Sequence, residues 1–261
     1  DMDTNFGDRS ARLDKIVAGL PVTRRFPLLA EVKIEDSLFE KLAYFTKLYL
    51  ASSLRAAGVT DERELPEESL VTRREDFLQL PNLTPNGLVM PKRDNMVEFN
   101  LLHRSISEIF SKLGIDDYVE RIRMPAMVRM VDGTRIEEKE SRPFASTKLH
   151  TDVWNGDPAR EILMLLPALG DIQNTGIEFF EPNEAVMRDW IKDLSDYNAG
   201  AHLLSSAKPY DIEWRAGYIY FADQLALHRT RKTGGGIRVC SDYLVVPREE
   251  VPSDRKPDGE R

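Results

Sequence analysis

The stretch Gly217-Tyr-Ile-Tyr-Phe-Ala-Asp-Gln-Leu-Ala-Leu-His-Arg-Thr-Arg-Lys-Thr-Gly-Gly-Gly-Ile-Arg-Val-Cys-Ser-Asp-Tyr-Leu-Val-Val246 sets the fold class. Three short runs rich in aromatic and branched residues, at 217–222, 226–230 and 237–246, are separated by turn formers that include Gly234-Gly-Gly236. Runs this short, bounded by glycine, read as strands. The same texture extends back toward the N-terminus. Strands are expected at 124–131, 144–150, 161–167, 177–181 and 210–214, with breakers at Asp132-Gly133, Asn155-Gly-Asp-Pro158, Gly170-Asp171 and Asn174-Thr-Gly176. One helix, roughly 183–195, interrupts them. Eight short strands with so little helix between them argue against a doubly wound parallel sheet, in which helices alternate with strands. The expected class is mainly β with helices, an antiparallel sandwich or jelly roll.

Upstream of residue 123 the period changes. Ser37 to Gly58 places Leu38, Leu42, Phe45, Tyr49 and Ala56 at three- to four-residue spacing, with Gly58 as a stop. Val97 to Leu113 does the same with Phe99, Leu102, Ile106, Ile109 and Phe110, ending at Gly114. Residues 59–96 are rich in Pro, Asn and charge and read as loop. Residues 1–122 are therefore expected to form a helical layer packed on one outer face of a 123–246 core, without being an independent domain. Residues 247–261, charged and broken by prolines, are expected to be a flexible tail.

Composition narrows function. The 261 residues carry 36 Lys+Arg against 44 Asp+Glu, a net charge of −8. A nucleic-acid or anionic-membrane footprint needs the opposite sign, so neither partner is expected, and a small molecule is. A single cysteine, Cys240, makes neither an internal disulfide nor a cysteine-rich zinc site. Asp1-Met-Asp-Thr-Asn5 lacks the apolar segment of a secretory signal, and the longest apolar run, Ile162 to Leu169, is too short to span a bilayer. A cytoplasmic location is expected.

Chemistry concentrates in two places. In Lys148-Leu-His-Thr-Asp-Val-Trp154, His150 and Asp152 are two apart, so extended backbone points both side chains to one face. His228 lies on a second expected strand, and Arg238 follows ten residues later inside the apolar run Ile237 to Val246. Two imidazoles and one carboxylate on one face of a metal leave three adjacent positions open, as in mononuclear non-haem Fe(II) oxygenases. A guanidinium inside an apolar strand needs an anionic partner, and a bound dicarboxylate supplies one.

This ordered set resembles the Fe(II)/2-oxoglutarate-dependent oxygenases, with their His-x-Asp…His pattern and distal arginine on a double-stranded β-helix. The resemblance covers roughly residues 123–246, and its texture is similar to the phytanoyl-CoA-hydroxylase-like branch. It implies His150, Asp152 and His228 as iron ligands and Arg238 as the clamp on 2-oxoglutarate. Thr230 then helps hold the distal carboxylate. It further implies Fe(II), 2-oxoglutarate and O2 as metal and co-substrates, succinate and CO2 as products, and hydroxylation of an unactivated C–H bond of a small metabolite. The carboxylate of Asp152 stands where halogenating relatives carry a small residue, which points to hydroxylation, or to desaturation or cyclisation. Some relatives have Arg-x-Ser at the clamp. Here Cys240 takes the serine's place and, as a weak donor, is expected to pack.

Four further residues are candidate substrate contacts, each with a plainer alternative. Trp154, two beyond Asp152, is a cavity wall or a packed rim residue, and Asn155 follows it. Arg129, inside Met124 to Asp132, binds a substrate anion or faces solvent. Lys148 points inward beside His150 or lies on the surface. His103 reads as structural or exposed; His202, in a loop-like Ala-Gly-Ala-His stretch, is an alternative ligand to His228 but lacks a following arginine at clamp distance. Two other activities fit parts of the pattern: a non-haem Fe(II) oxygenase that does not use 2-oxoglutarate, and a non-catalytic cupin-like binding protein.

Overall fold

The computed structural model describes residues 6–66, 68–181, 193–204 and 207–249. The long strands of the C-terminal half are β3 (Val119–Asp132), β4 (Ile162–Gly170), β5 (Ile177–Phe180), β6 (Tyr218–Asp223), β7 (Leu227–Thr230) and β8 (Ile237–Pro247), preceded by β1 (Val22–Phe26) and β2 (Leu29–Lys33). One antiparallel sheet runs in the order β1-β2-β6-β4-β8-β3, and β5 pairs with β7 in a second. Two isolated bridges widen the second sheet: His150 to His228 on one side and Phe180 to Pro209 on the other. Omitting the β1–β2 hairpin, strands therefore alternate between the two sheets along the chain. This alternation is the jelly roll, or double-stranded β-helix, that the sequence led us to expect.

The two faces of the large sheet carry different side chains. Ile237, Val239, Tyr243 and Val245 of β8 join Ile162, Met164 and Leu166 of β4 in a core shared with α2 (Asp36–Ala56) and α3 (Met96–Leu113). Both helices lie where the periodicity placed them. Acidic residues stand in their first turns and basic ones in their last, as the helix dipole favours. Gly114, at φ 67°, closes α3 in the left-handed region that glycine adopts without strain. The opposite face of the sheet contributes Leu165, Tyr220 and Cys240 to a second core between the sheets, with Phe179, Leu227 and Trp154.

The structure corrects several expectations. The N-terminal part is not all helix, because β1 and β2 form a hairpin that extends the large sheet past β6. The segment 144–150 is mostly turn, held by Ala145 N to Arg142 O and Lys148 N to Ala145 O, and only its last residue joins a sheet. No ladder forms over 210–214, where Tyr210 N donates to Phe179 O at the sheet edge. Strand β3 begins at Val119, so the boundary read at 123 falls inside it. Most of the helix expected at 183–195 lies outside the described residues, as does most of the tail. No helix among the described residues is long and apolar enough to cross a membrane.

The first helix, α1 (Phe6–Val17), is tied to the core by charge. Arg9, 1% exposed, donates through Nε (2.8 Å) and Nη2 (2.6 Å) to Asp223 Oδ1, and through Nη2 to Ala159 O (2.5 Å). Arg12 adds a bond to Asp223 Oδ2 at 3.1 Å. Asp223 opens the turn into β7, and Ala159 lies just before β4, so one guanidinium joins two loops beside the candidate ligands. Removing one partner of a buried pair strands the other. Arg9→Ala is expected to lower unfolding free energy by about 3 kcal/mol, read from the urea midpoint. Arg9→Lys should restore less than half, since an ammonium lacks the planar fork.

Candidate metal centre

The second sheet builds the site. His150 and His228 face each other as a hydrogen-bonded antiparallel pair, exchanging His150 N to His228 O (3.0 Å) and His228 N to His150 O (2.9 Å). Directly opposed residues project to the same side of a sheet, and the ring centroids stand 4.4 Å apart. Thr151 is extended (φ −115°, ψ 150°), and Asp152 then begins a tight turn through Asn155. The Asp152 carboxylate thus returns to the imidazoles. Its Oδ1 lies 3.8 Å from His150 Nε2 and 3.6 Å from His228 Nε2.

The tautomers follow from the backbone. His150 Nδ1 lies 2.6 Å from Lys148 O, and His228 Nδ1 lies 2.9 Å from Ala226 O. A carbonyl only accepts, so each Nδ1 carries the proton and each Nε2 presents a lone pair. This carbonyl contact is the usual support of a metal-ligating histidine. Burial, reinforced by His228, holds the His150 imidazole well below its ordinary pKa, which favours the neutral form. Burial raises the Asp152 carboxyl and the neighbouring His228 pulls it back. Among the described residues these three are the group of histidine, cysteine and acidic side chains whose ligand atoms all lie within 4.8 Å of one another.

Facing this cluster across the barrel is β8. Arg238 is 3% exposed, and its Nε and Nη1 have no hydrogen-bond partner among the described residues. Its guanidinium lies over Trp214 at 5.9 Å. Burial lowers its pKa, a mark of a cation without a protein counter-charge in contact. Thr230, two residues after His228 on β7, is also buried. Cys240 does more than pack: its Sγ lies 3.0 Å from Asp242 Oδ1, and burial pushes the thiol pKa well up. The other oxygen of Asp242 accepts from Arg129 Nε at 2.7 Å.

The remaining candidates are distributed differently. Lys148 pairs with Asp196 at 3.2 Å. Trp154 is fully buried in the core between the sheets, and a Cβ on Gly200 would come within 2.4 Å of its ring. Asn155 is exposed at the end of the ligand turn. His103 is structural: Nε2 accepts from Ala126 N (2.9 Å), and Nδ1 contacts Tyr243 OH (3.0 Å). The side chain of His202 lies outside what is described. One neighbour was missed. Tyr197 is buried and stacks on His150 at 4.0 Å and 14°, and no local pattern announced it. Asp242 could have been found by the reasoning that singled out Arg238, since it too is a charge inside an apolar strand.

No family model matches the chain, and no curated protein does. Among solved structures it is similar to an N-substituted L-amino acid dioxygenase from Burkholderia ambifaria, at 13% identity over 91% of this chain and 87% of that one, TM-score 0.42. It is also similar to a non-heme alpha-ketoglutarate-dependent epimerase of nogalamycin biosynthesis, at 12% identity over 92% and 81%, TM-score 0.42. A third, the Kdo hydroxylase, a non-heme Fe(II) alpha-ketoglutarate-dependent dioxygenase, aligns at 11% identity over 67% and 75%, TM-score 0.40. At this distance, function has to be read from the donors themselves.

Two imidazoles and a carboxylate suit a divalent first-row ion. His150→Ala, Asp152→Ala and His228→Ala are each expected to weaken Fe(II) or Co(II) binding by more than about 100-fold, because even outer partners of ligands contribute 10–100-fold. Anaerobic calorimetry measures this. Wild-type affinity in all three variants would remove the centre.

Proposed function

We propose that the chain is an Fe(II)- and 2-oxoglutarate-dependent oxygenase that hydroxylates a C–H bond of a small molecule. The supporting observation is the pairing of two features in one barrel: a His150–Asp152–His228 donor set with fixed tautomers, and a buried guanidinium at Arg238 that no described protein anion contacts. The residues fit both groups. His150 and His228 through Nε2, with the Asp152 carboxylate, would hold the ferrous ion. Arg238 would take the far carboxylate of 2-oxoglutarate in a bidentate grip, with Thr230 beside it. Bound together, metal and co-substrate supply the oxidising power: O2 and 2-oxoglutarate give succinate and CO2, one oxygen atom entering succinate and the other the substrate C–H bond.

The protein's own part is positioning and exclusion. The carbonyls of Lys148 and Ala226 fix both rings and their protons. Tyr197 covers the face of His150 and shields it from water. Trp214 and the apolar wall of Phe179 and Leu227 keep the interior dry, which strengthens the pairing of Arg238 with an anion. Asp242 is satisfied by Cys240 and Arg129, so it does not compete for Arg238.

The test is an anaerobic titration of Fe(II) and then 2-oxoglutarate, followed by the weak visible charge-transfer band of the chelate. The band should form in the wild type. Arg238→Ala should weaken 2-oxoglutarate by roughly 100-fold, since truncating one side of a buried charge pair costs about 2–5 kcal/mol, while Fe(II) still binds. Substrate oxidation that persists in Arg238→Ala without consuming 2-oxoglutarate would favour an Fe(II) oxygenase of another kind. Absence of metal binding in the wild type would favour a cupin-like binding protein.

A further inference from the structure

The turn at residues 84–88 is built to lie flush on β3. Gly87 has φ 81°, and a Cβ there would stand 2.6 Å from Met130 O. Met130 N donates to Gly87 O at 2.7 Å, and Leu88 bridges to Arg129. This close approach sets Asn86 between two guanidinium groups. Its backbone O accepts from Arg129 Nη1 at 3.3 Å, and its Oδ1 accepts from Arg142 Nη1 at 3.1 Å.

Neither arginine is saturated. Asp242 engages Arg129 through Nε, and Nη2 meets the sulfur of Met127 at 3.7 Å, a weak acceptor. Arg142 Nε donates to Lys139 O at 3.0 Å, and no carboxylate among the described residues pairs with Arg142. Two cations tied to one asparagine repel each other.

Each arginine is linked to the neighbourhood of the metal centre through other residues. Arg142 precedes Pro143 and Phe144. Pro143 O accepts from Tyr197 N (3.1 Å), the Phe144 ring meets Tyr197 edge-on (5.2 Å), and Tyr197 stacks on His150. Arg129 pairs with the Asp242 carboxylate, which Cys240 shares on the barrel-facing row of β8. Both guanidinium groups are partly exposed, so a solute can reach them.

We propose that Arg129 and Arg142, spaced by Asn86, form a rim that binds an oxyanion of the substrate, a carboxylate or a phosphate monoester, and hold it beside the metal centre. That the bound molecule is then oxidised rests on the oxygenase reading; the binding itself does not. Guanidinium forks match either oxyanion in planar, charge-assisted pairs.

The experiment uses the anaerobic protein loaded with Fe(II) and saturating 2-oxoglutarate, titrated calorimetrically with hexanoate, hexyl phosphate and hexanamide. At least one anion should bind about tenfold or more tighter than the amide, a difference of about 1.4 kcal/mol, and the tighter one names the headgroup. Arg142→Gln and Asn86→Ala should each erase most of that preference. Arg135→Gln, which removes an exposed guanidinium paired with Glu140, should keep it. Equal binding of all three probes, no binding of either anion below about 10 mM, or a folded Arg142→Gln that keeps the preference would overturn the rim. Failure of Fe(II) or 2-oxoglutarate to bind in the first step would instead count against the oxygenase reading, and the preference would still be measured on the metal-free protein.

Discussion

Two backbone hydrogen bonds, exchanged between His150 and His228, are the constraint on which the site depends. With Thr230 N donating to Ser146 O at 2.7 Å, they join the segment before β4 to the second sheet, and they set two rings 78 positions apart in the chain side by side. Any slip by one residue would turn one ring to the other face. The same bridge leaves the carbonyls of Lys148 and Ala226 free to take the Nδ1 protons, so position and tautomer come from one piece of backbone. Asp152 needs only one extended residue and a tight turn to complete the set.

Strand β8 shows how a sheet can serve a core and a site at once. Its even positions, Arg238, Cys240 and Asp242, face the barrel; its odd positions, Ile237, Val239 and Tyr243, face the helices. The period of two separates a polar row from an apolar one without any break in the ladder. Ser241 is the exception on the apolar row, buried with its hydroxyl unpartnered among the described residues, and the chemical groups sit on a strand braced on both sides by β3 and β4.

This two-faced pattern also explains what was legible. Long apolar runs such as Ile162 to Leu169 and Ile237 to Val246 announce themselves as strands because they are buried on both faces. The helices were legible from their three- to four-residue stripes. Strand β2, Leu29-Ala-Glu-Val-Lys33, was not, because Leu, Ala, Glu and Lys are strong helix formers and only the sheet partner β6 overrides that preference. Strand β1 carries Arg24 and Arg25 at the sheet edge and is largely exposed, so it has no apolar face to detect. Residues 210–214 alternate as a strand should, with Tyr210, Ile212 and Trp214 packed inward, but no neighbour ladders with them. That His150, Asp152 and His228 converge was legible from their spacing and order along the strands. Tyr197 and Asn86 act through contacts that only the folded chain creates.

Arg238 is the sharpest case of local pattern pointing to a missing partner. Asp242 lies on its own face of the same strand, and its charge partly counters the effect of burial on Arg238, but the two do not form an ion pair. Its two oxygens are in any case taken by Cys240 and Arg129. A buried guanidinium left without an anion costs several kcal/mol, a large share of the 5–15 kcal/mol by which domains of this kind are stable. On the oxygenase reading proposed above, a carboxylate bound at Arg238 would offset this cost, so binding of the anion and stability of the barrel would be linked at one side chain.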